Sequence, residues 1–499
     1  KMEDEAIDLN INHENENIMT SNSKYGVCID KLNSVCSGKA GVFIASILLA
    51  ALIWTSTLTV TKSENLPGGN LFGLFVVFVC SLLLGALLSR LPFLQLPNLL
   101  GMLLAGLLLT NIQAINVVQH IHQSSSVSLR NIALVVILLR SGLELDPVAL
   151  KKLKRTVISL AFGPCILEAL TVAVVANLLL ELPWLWGLQL GFVLGAVSPA
   201  IVVPQLLKLQ EQGFGVQEGI PTLVMAASSC DDVLAISLFT VFLGVAFSTG
   251  DLIFNIFRGP LEILLGITVG CLSGFILSFI PSNYESRNLH EKRFVMLLCL
   301  GIMLLFGSNW IELSGAGALA VLTTAFVAAH GWTEKGKLPV VKFVDKLWIV
   351  FEPLMFGLIG AEVKMEYMSA RLIGRGIATL AIGLTLRTLV TYLVTIGNNL
   401  KLKERLFICI AWLPKATVQA AIGAISLETA REQGYSGKPE EEYGKNILTL
   451  AVLVILLTAP LGAVGIAVTG PKLLQREKNT VNPVTSEDEQ IGLTVDTAI

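Results

Sequence analysis

The sequence predicts an all-α polytopic membrane protein with about fourteen transmembrane helices. Three observations carry that expectation. Of 499 residues, 54% are hydrophobic and only 14% charged, and the mean hydropathy of +0.73 suits a chain solvated mostly by lipid. Apolar stretches of about 20 residues, enough to cross a bilayer core of roughly 30 Å, follow one another with short polar loops between them. Basic residues gather in alternate loops, as they do when charge is sorted by side of a membrane.

In chain order the crossings are expected near residues 42–61, 70–89, 94–111, 129–144, 156–181, 185–208, 220–248, 258–281, 293–307, 310–330, 343–363, 372–397, 404–427 and 446–469. Lys151, Lys152, Lys154 and Arg155 fall on one side in this count, with Arg287, Lys292, Arg293, Lys335, Lys337, Lys342, Lys401, Lys403 and Arg405. Lys472, Arg476 and Lys478 join them, so the positive-inside rule places both termini in the cytoplasm. Residues 1–38 and 471–499 have the low hydrophobicity of disordered tails.

Composition excludes several functions. The net charge of −2 says little, because charge in such a chain is sorted by side of the membrane, and no nucleic-acid partner is expected. The eight cysteines are scattered with no CxxC pair, so neither a disulfide framework nor a zinc site is expected. His13, His120, His122, His290 and His330 lie in the tail, in loops or at segment ends, leaving no intramembrane histidine ligands. There is no HExxH and no phosphate-binding glycine loop, so an enzyme is not expected, and no cofactor is.

Two segments depart from a continuous helix. The sixth, "LGFVLGAVSPAIVVPQLL", carries Gly195, Pro199 and Pro204; the thirteenth, "FICIAWLPKATVQAAIG", carries Pro414. Lipid offers no partner for a backbone group that proline leaves open, so such breaks survive only against protein or a wet cavity. Breaks seven segments apart suggest inverted six-helix repeats with two discontinuous crossing helices. An extra first helix then precedes segments two to seven, and a linker helix, 258–281, precedes segments nine to fourteen.

Each ionised group in the membrane core costs at least ~2.5–3.5 kcal/mol, so intramembrane charges are informative. They are Glu168, Asp231, Asp232, Arg387 and Lys415, with Arg140, Glu262, Glu312 and Glu352 nearer segment ends. Asp231 and Asp232 sit about 100° apart on one helix, so they face different neighbours. Ser228 shares the Asp232 face one turn earlier. A proton and a hard cation compete for such carboxylates, which is itself a mechanism of exchange. Carbonyls freed near Gly195, Ala196, Val197 and Ser198 offer further oxygen ligands. Glu168 and Arg387, also seven segments apart, are expected to form a buried ion pair between the repeats. Lys415, just after Pro414, is expected to compensate the dipole ends of the broken helices.

The motifs "SSCDDVLAIS", "LGAVSPAIVVP", "LTLRTLVTYL" and "AWLPKATVQAAIG" together resemble the cation/proton antiporters, and within them the animal NHA branch of sodium/hydrogen exchangers, the solute carrier 9 B subfamily. The resemblance covers roughly residues 70 to 470. It implies the NhaA-like antiporter fold and exchange of Na+ or Li+ for H+. It places the cation at Asp231 and Asp232, with Asp232 the principal carrier and Asp231 its partner; the residues themselves add Ser228, Val197 and Ser198 as the other candidate ligands. It also implies a homodimer, with a transport core at 156–248 and 372–469 and a dimerisation domain at 70–144 and 293–363. The extra helix at 42–61 is expected at the dimer interface, with membrane lipid between protomers, the alternative being an anchor for the tail. The implied membranes are plasma, endosomal or lysosomal, with a mitochondrial membrane as an alternative; the implied role is control of intracellular or organellar pH, sodium and volume.

Arg387 departs from the lysine that electrogenic bacterial relatives carry, and unlike lysine it does not release a proton. If Glu168 holds Arg387 permanently, only the aspartates titrate, which favours one proton per cation. The rival reading is a sodium-coupled organic-anion symporter of the bile-acid type. It needs a roomy amphipathic pocket, and paired aspartates repel its substrate. A cation channel needs a filter of stacked carbonyls or an acidic ring, and no repeated filter sequence is present.

Overall fold

The computed structural model describes residues 39–90, 96–145, 154–247, 252–281, 288–311, 313–332, 334–396 and 400–476. The described residues are helical, with one isolated bridge pairing Phe214 and Arg476. Glu312 and most of the predicted tails lie outside them. Helices occupy the regions where the sequence predicts crossings, but nine among the described residues are long and apolar enough to span a bilayer, fewer than the fourteen expected. Asn98–Asn111 is only 14 residues long, Glu334–Glu362 carries many charges, and the thirteenth segment is broken into pieces.

The chain divides into two compact units, Lys1–Val79 and Cys80–Ile499. In the first, helix α1 (Lys39–Thr61) turns back toward α2 (Asn70–Ser89) through a 3₁₀ turn at Lys62–Asn65. Asn65 fixes that turn: its buried side-chain amide donates to the Trp54 carbonyl at 2.9 Å and to Thr57 Oγ1 at 2.5 Å.

The second unit contains α3 (Asn98–Asn111), α4 (Gln123–Glu144), α5 (Lys154–Leu180), α6 (Trp184–Gly195), α7 (Pro199–Glu211), α8 (Ile220–Phe247), α9 (Leu252–Phe279), α10 (Leu289–Trp310) and α11 (Ser314–Gly331). After these come α12 (Glu334–Glu362), α13 (Ala370–Val394), α14 (Leu402–Ala411), α15 (Thr417–Ile422), α16 (Ile425–Glu432) and α17 (Pro439–Leu473). The last helix runs four residues past its predicted end at 469 and takes in the start of the predicted tail.

Two sets of helices recur in the packing. One comprises α3, α4 and α9–α12; the other comprises α5–α8 and α13–α17. In the first set α3 and α12 meet backbone to backbone, because a Cβ on Gly106 would strike the Gly357 carbonyl. In the second set α5 carries α6 and α13 on its sides. Gly191 of α6 lies against the Ala169 carbonyl, and Gly383 of α13 faces Val172 and Glu168. Those close approaches bring the C-terminus of α6 and the middle of α13 to Glu168. Helix α8 packs in the second set and also touches α9 and α11 of the first.

The breaks differ in detail from the sequence reading. The sixth segment parts at Ala196–Ser198, between Gly195 as the last residue of α6 and Pro199 as the first of α7. Pro204, expected to break the chain, lies inside a continuous α7. Past the first turn the missing amide removes one rung of the ladder, and neighbouring rungs hold the helix together. The thirteenth segment is interrupted twice, at 412–416 around Pro414 and again at Gly423–Ala424.

Candidate functional site

The two broken segments run past each other in opposite senses, and each supplies what the other lacks. The Ser198 amide donates to the Pro414 carbonyl at 2.8 Å, and the Thr417 amide to Ser198 Oγ at 3.3 Å. The hydroxyls of Ser198 and Thr417 lie 3.2 Å apart. A helix C-terminus leaves its last four carbonyls open. At this end the last three carbonyls of α6 and that of its C-cap Ala196 accept from side chains: Val193 and Ala196 from Gln419 Nε2 at 2.9 and 3.0 Å, Leu194 from Lys415 Nζ, and Gly195 from Arg387 Nη1. Lys415 and Arg387 thus place cations at the negative end of the α6 dipole.

The same cations bind carboxylates. Arg387 Nη1 donates to Glu168 Oε2 at 2.5 Å, Lys415 Nζ donates to that oxygen at 2.8 Å, and Arg387 Nη2 reaches Asp231 Oδ2 at 3.0 Å. Arg387 Nε donates to the Trp412 carbonyl at 3.1 Å. Glu168, Asp231, Arg387 and Lys415 are wholly buried. The expected pair of Glu168 and Arg387 is therefore one edge of a larger network, with Glu168 shared between two cations and Arg387 between two carboxylates.

The adjacent aspartates have different surroundings. Asp231 Oδ2 also accepts from the Val197 amide at 2.8 Å. Val197 thus presents its N–H to Asp231, and the Gly195 and Ala196 carbonyls accept from Arg387 and Gln419. The Ser228 hydroxyl, one turn before Asp232, donates to the Met225 carbonyl of its own helix at 2.9 Å. Asp232 is 2% exposed, and neither of its carboxylate oxygens has a hydrogen-bond partner. It opens on a cavity of about 20 Å³ whose polar lining also includes Arg140, Ser141, Glu144 and Thr417. A water needs roughly 10–15 Å³ by this measure, so the cavity admits about one water or one bare cation.

With every group ionised, the carboxylates of Glu168, Asp231 and Asp232 stand against the cations of Arg387 and Lys415, leaving one negative charge uncompensated. Among the described residues no cluster of three His, Cys, Asp or Glu side chains could hold a resident metal. The arrangement can hold a transient monovalent cation or a proton.

Sequence reasoning finds Glu168, Asp231, Asp232, Arg387 and Lys415 but misses Glu144 at the cavity, and Thr417 and Gln419. The available signal for Thr417 and Gln419 is their place, three and five residues after Pro414, as polar side chains in an apolar run.

Comparison with known proteins first gives the class. The fold is shared with the sodium proton antiporter MjNhaP1 from Methanocaldococcus jannaschii at pH 8, with a TM-score of 0.63 over 81% of this chain and 99% of that one, at 21% identity. Residues 74–469 match the family model for the transmembrane part of sodium/hydrogen exchangers. The chain is 47% identical to sodium/hydrogen exchanger 9B2 of Homo sapiens over 451 residues, covering 90% of this chain and 82% of that protein. It is 43% identical to sodium/hydrogen exchanger 9B1 of Homo sapiens over 442 residues, covering 88% and 85%. The chain belongs to the sodium/hydrogen exchanger family.

Proposed function

We propose that the protein exchanges Na+ or Li+ for H+ by alternating access, with cation and proton competing for Asp232 while Asp231 is held as its partner. The observation that carries this reading is a buried carboxylate with both oxygens unpartnered, facing a cavity of about 20 Å³. An isolated carboxylate is too costly to keep charged in such a place without a ligand. A sodium ion would find hard oxygen donors in Asp232, Thr417 and Ser141, all lining that cavity. A proton would neutralise the same group. Either occupant cancels the one uncompensated charge of the buried network, which favours one proton per monovalent cation.

The cavity also argues against the organic-anion symporter, since pockets for organic ligands run to about 300–1,000 Å³. The reading extends to a core made of α5–α8 and α13–α17 that moves against the remaining helices, to a homodimer formed through those remaining helices with lipid between protomers, and to control of pH, sodium and volume across a plasma or endosomal membrane.

The test uses purified protein in liposomes containing a lumenal pH dye, with an imposed proton gradient and Na+ or Li+ added outside. Cation-dependent proton movement is expected from the wild type and its loss from Asp231→Asn/Asp232→Asn. A folded, inserted wild type that moves no protons with either cation would overturn the exchange reading.

A further inference from the structure

The wall of the Asp232 cavity contributed by α4 holds a guanidinium and a carboxylate that the exchange chemistry at Asp232 does not use. Arg140 Nε bonds Glu144 Oε1 at 2.8 Å, one turn along α4, and lies 3.3 Å from Asp345 Oδ1 of α12. Both Arg140 and Glu144 line the cavity with Asp232. Their side chains are 27% exposed and that of Asp345 is 43% exposed, against 2% for Asp232. Accessibility therefore falls from Asp345 through the Arg140–Glu144 pair to Asp232, the order that an approach to the buried carboxylate would have.

We propose that Glu144 is a staging ligand for the incoming monovalent cation and that Arg140 is its resting counterion; this rests on the exchange reading above. A guanidinium facing the cavity would repel an arriving cation. Held between Glu144 and Asp345 it is outnumbered by carboxylates, so the approach keeps a net negative charge that concentrates cations. An arriving Na+ or Li+ takes the place of Arg140 on Glu144, and Arg140 stays with Asp345, so each carboxylate has one cation while the ion is held and the site's net negative charge falls to zero. From Glu144 the ion passes across the cavity to the unpartnered oxygens of Asp232. Asp232 belongs to α8, whereas Glu144 and Arg140 belong to α4 in the other set of helices, so the two ligands are apposed only when the core faces this approach.

The proposal gives two substitutions effects of opposite sign. Glu144→Gln removes the staging ligand and should raise the KM for sodium by roughly three- to tenfold, with the rise in KM exceeding any fall in the maximal rate. Arg140→Gln removes the competitor for Glu144 and should lower the KM. Both are measured in the liposome assay beside the wild type and Asp232→Asn. A purely structural pair would make both variants worse in step, and that result, or an unchanged KM in both, overturns the staging role. If either variant fails to fold, the wild type still decides: raising ionic strength with choline chloride should raise its sodium KM by screening the approach, and a KM indifferent to salt overturns the proposal. A wild type that does not exchange at all sinks the exchange reading, an outcome distinct from these.

Discussion

The two faces of α8 at Asp231 and Asp232 are one residue apart in sequence and opposite in surroundings. Asp231 meets the break of the sixth segment and is tied to the Val197 amide and the Arg387 guanidinium, whereas Asp232 meets a cavity and is tied to nothing. The helix does this by geometry alone, since a step of about 100° per residue turns consecutive side chains toward different neighbours. Under the proposed exchange, the bonded carboxylate would secure the crossing of the broken helices and the unbonded one would take and release an ion, so that one helix serves both tasks.

The sharpest way to break this comparison is to neutralise the aspartates separately. Asp232→Asn should abolish cation-driven proton movement in liposomes and leave the thermal melting temperature near the wild-type value, because no hydrogen bond is lost. Asp231→Asn should lower the melting temperature, since Arg387 loses one of its buried counterions. Equal thermal losses in the two variants would mean that the environments do not differ as described.

A second test moves behind Asp231 to Glu168. Glu168→Gln keeps an acceptor oxygen but leaves Arg387 and Lys415 without the negative charge that both hold, and removing one member of a buried ion pair typically costs about 3–5 kcal/mol. Reduced yield and an earlier melt in detergent are expected. Charge reversal, Glu168→Arg with Arg387→Glu, would normally rescue an isolated pair. Here it should not, because it sets a guanidinium beside Lys415 and a second carboxylate beside Asp231. Recovery in that double variant would reduce the network to a simple pair.

The smallest effect is expected at Gln419. Gln419→Leu leaves the Val193 and Ala196 carbonyls of the α6 C-terminus without their donor, at a cost of about 1–3 kcal/mol. Stability should fall while residual exchange keeps its cation preference. A changed preference between Na+ and Li+ would place Gln419 on the Asp232 side of the comparison.

The charged residues are legible in the sequence because an ion in an apolar run is costly enough to need a reason. Their partners are less so. Glu168 and Arg387 can be paired by their matching segments, but that Lys415 shares the same oxygen depends on where an irregular stretch between α14 and α15 carries its side chain, and periodicity does not specify irregular backbone. Gln419 draws no notice because an uncharged amide is a smaller anomaly than an ion. Pro204 misleads because proline marks a helix end only where the ladder is already weak, and α5, α9, α12 and α17 also run through prolines. Arg140 reads as an end-of-segment charge and Glu144 as nothing in particular, and only the fold brings them to the same cavity as Asp232.

The uncompensated charge in the buried network has an electrical consequence. A transmembrane voltage acts on a moving core in proportion to the net charge it carries, at about 2.3 kcal/mol per elementary charge per 100 mV. With Asp232 holding either one alkali ion or one proton, the charges on Glu168, Asp231, Asp232, Arg387 and Lys415 and that occupant cancel. Under the proposed one-for-one exchange, depolarising the membrane would neither drive nor slow either loaded crossing, and two concentration ratios alone would set the direction.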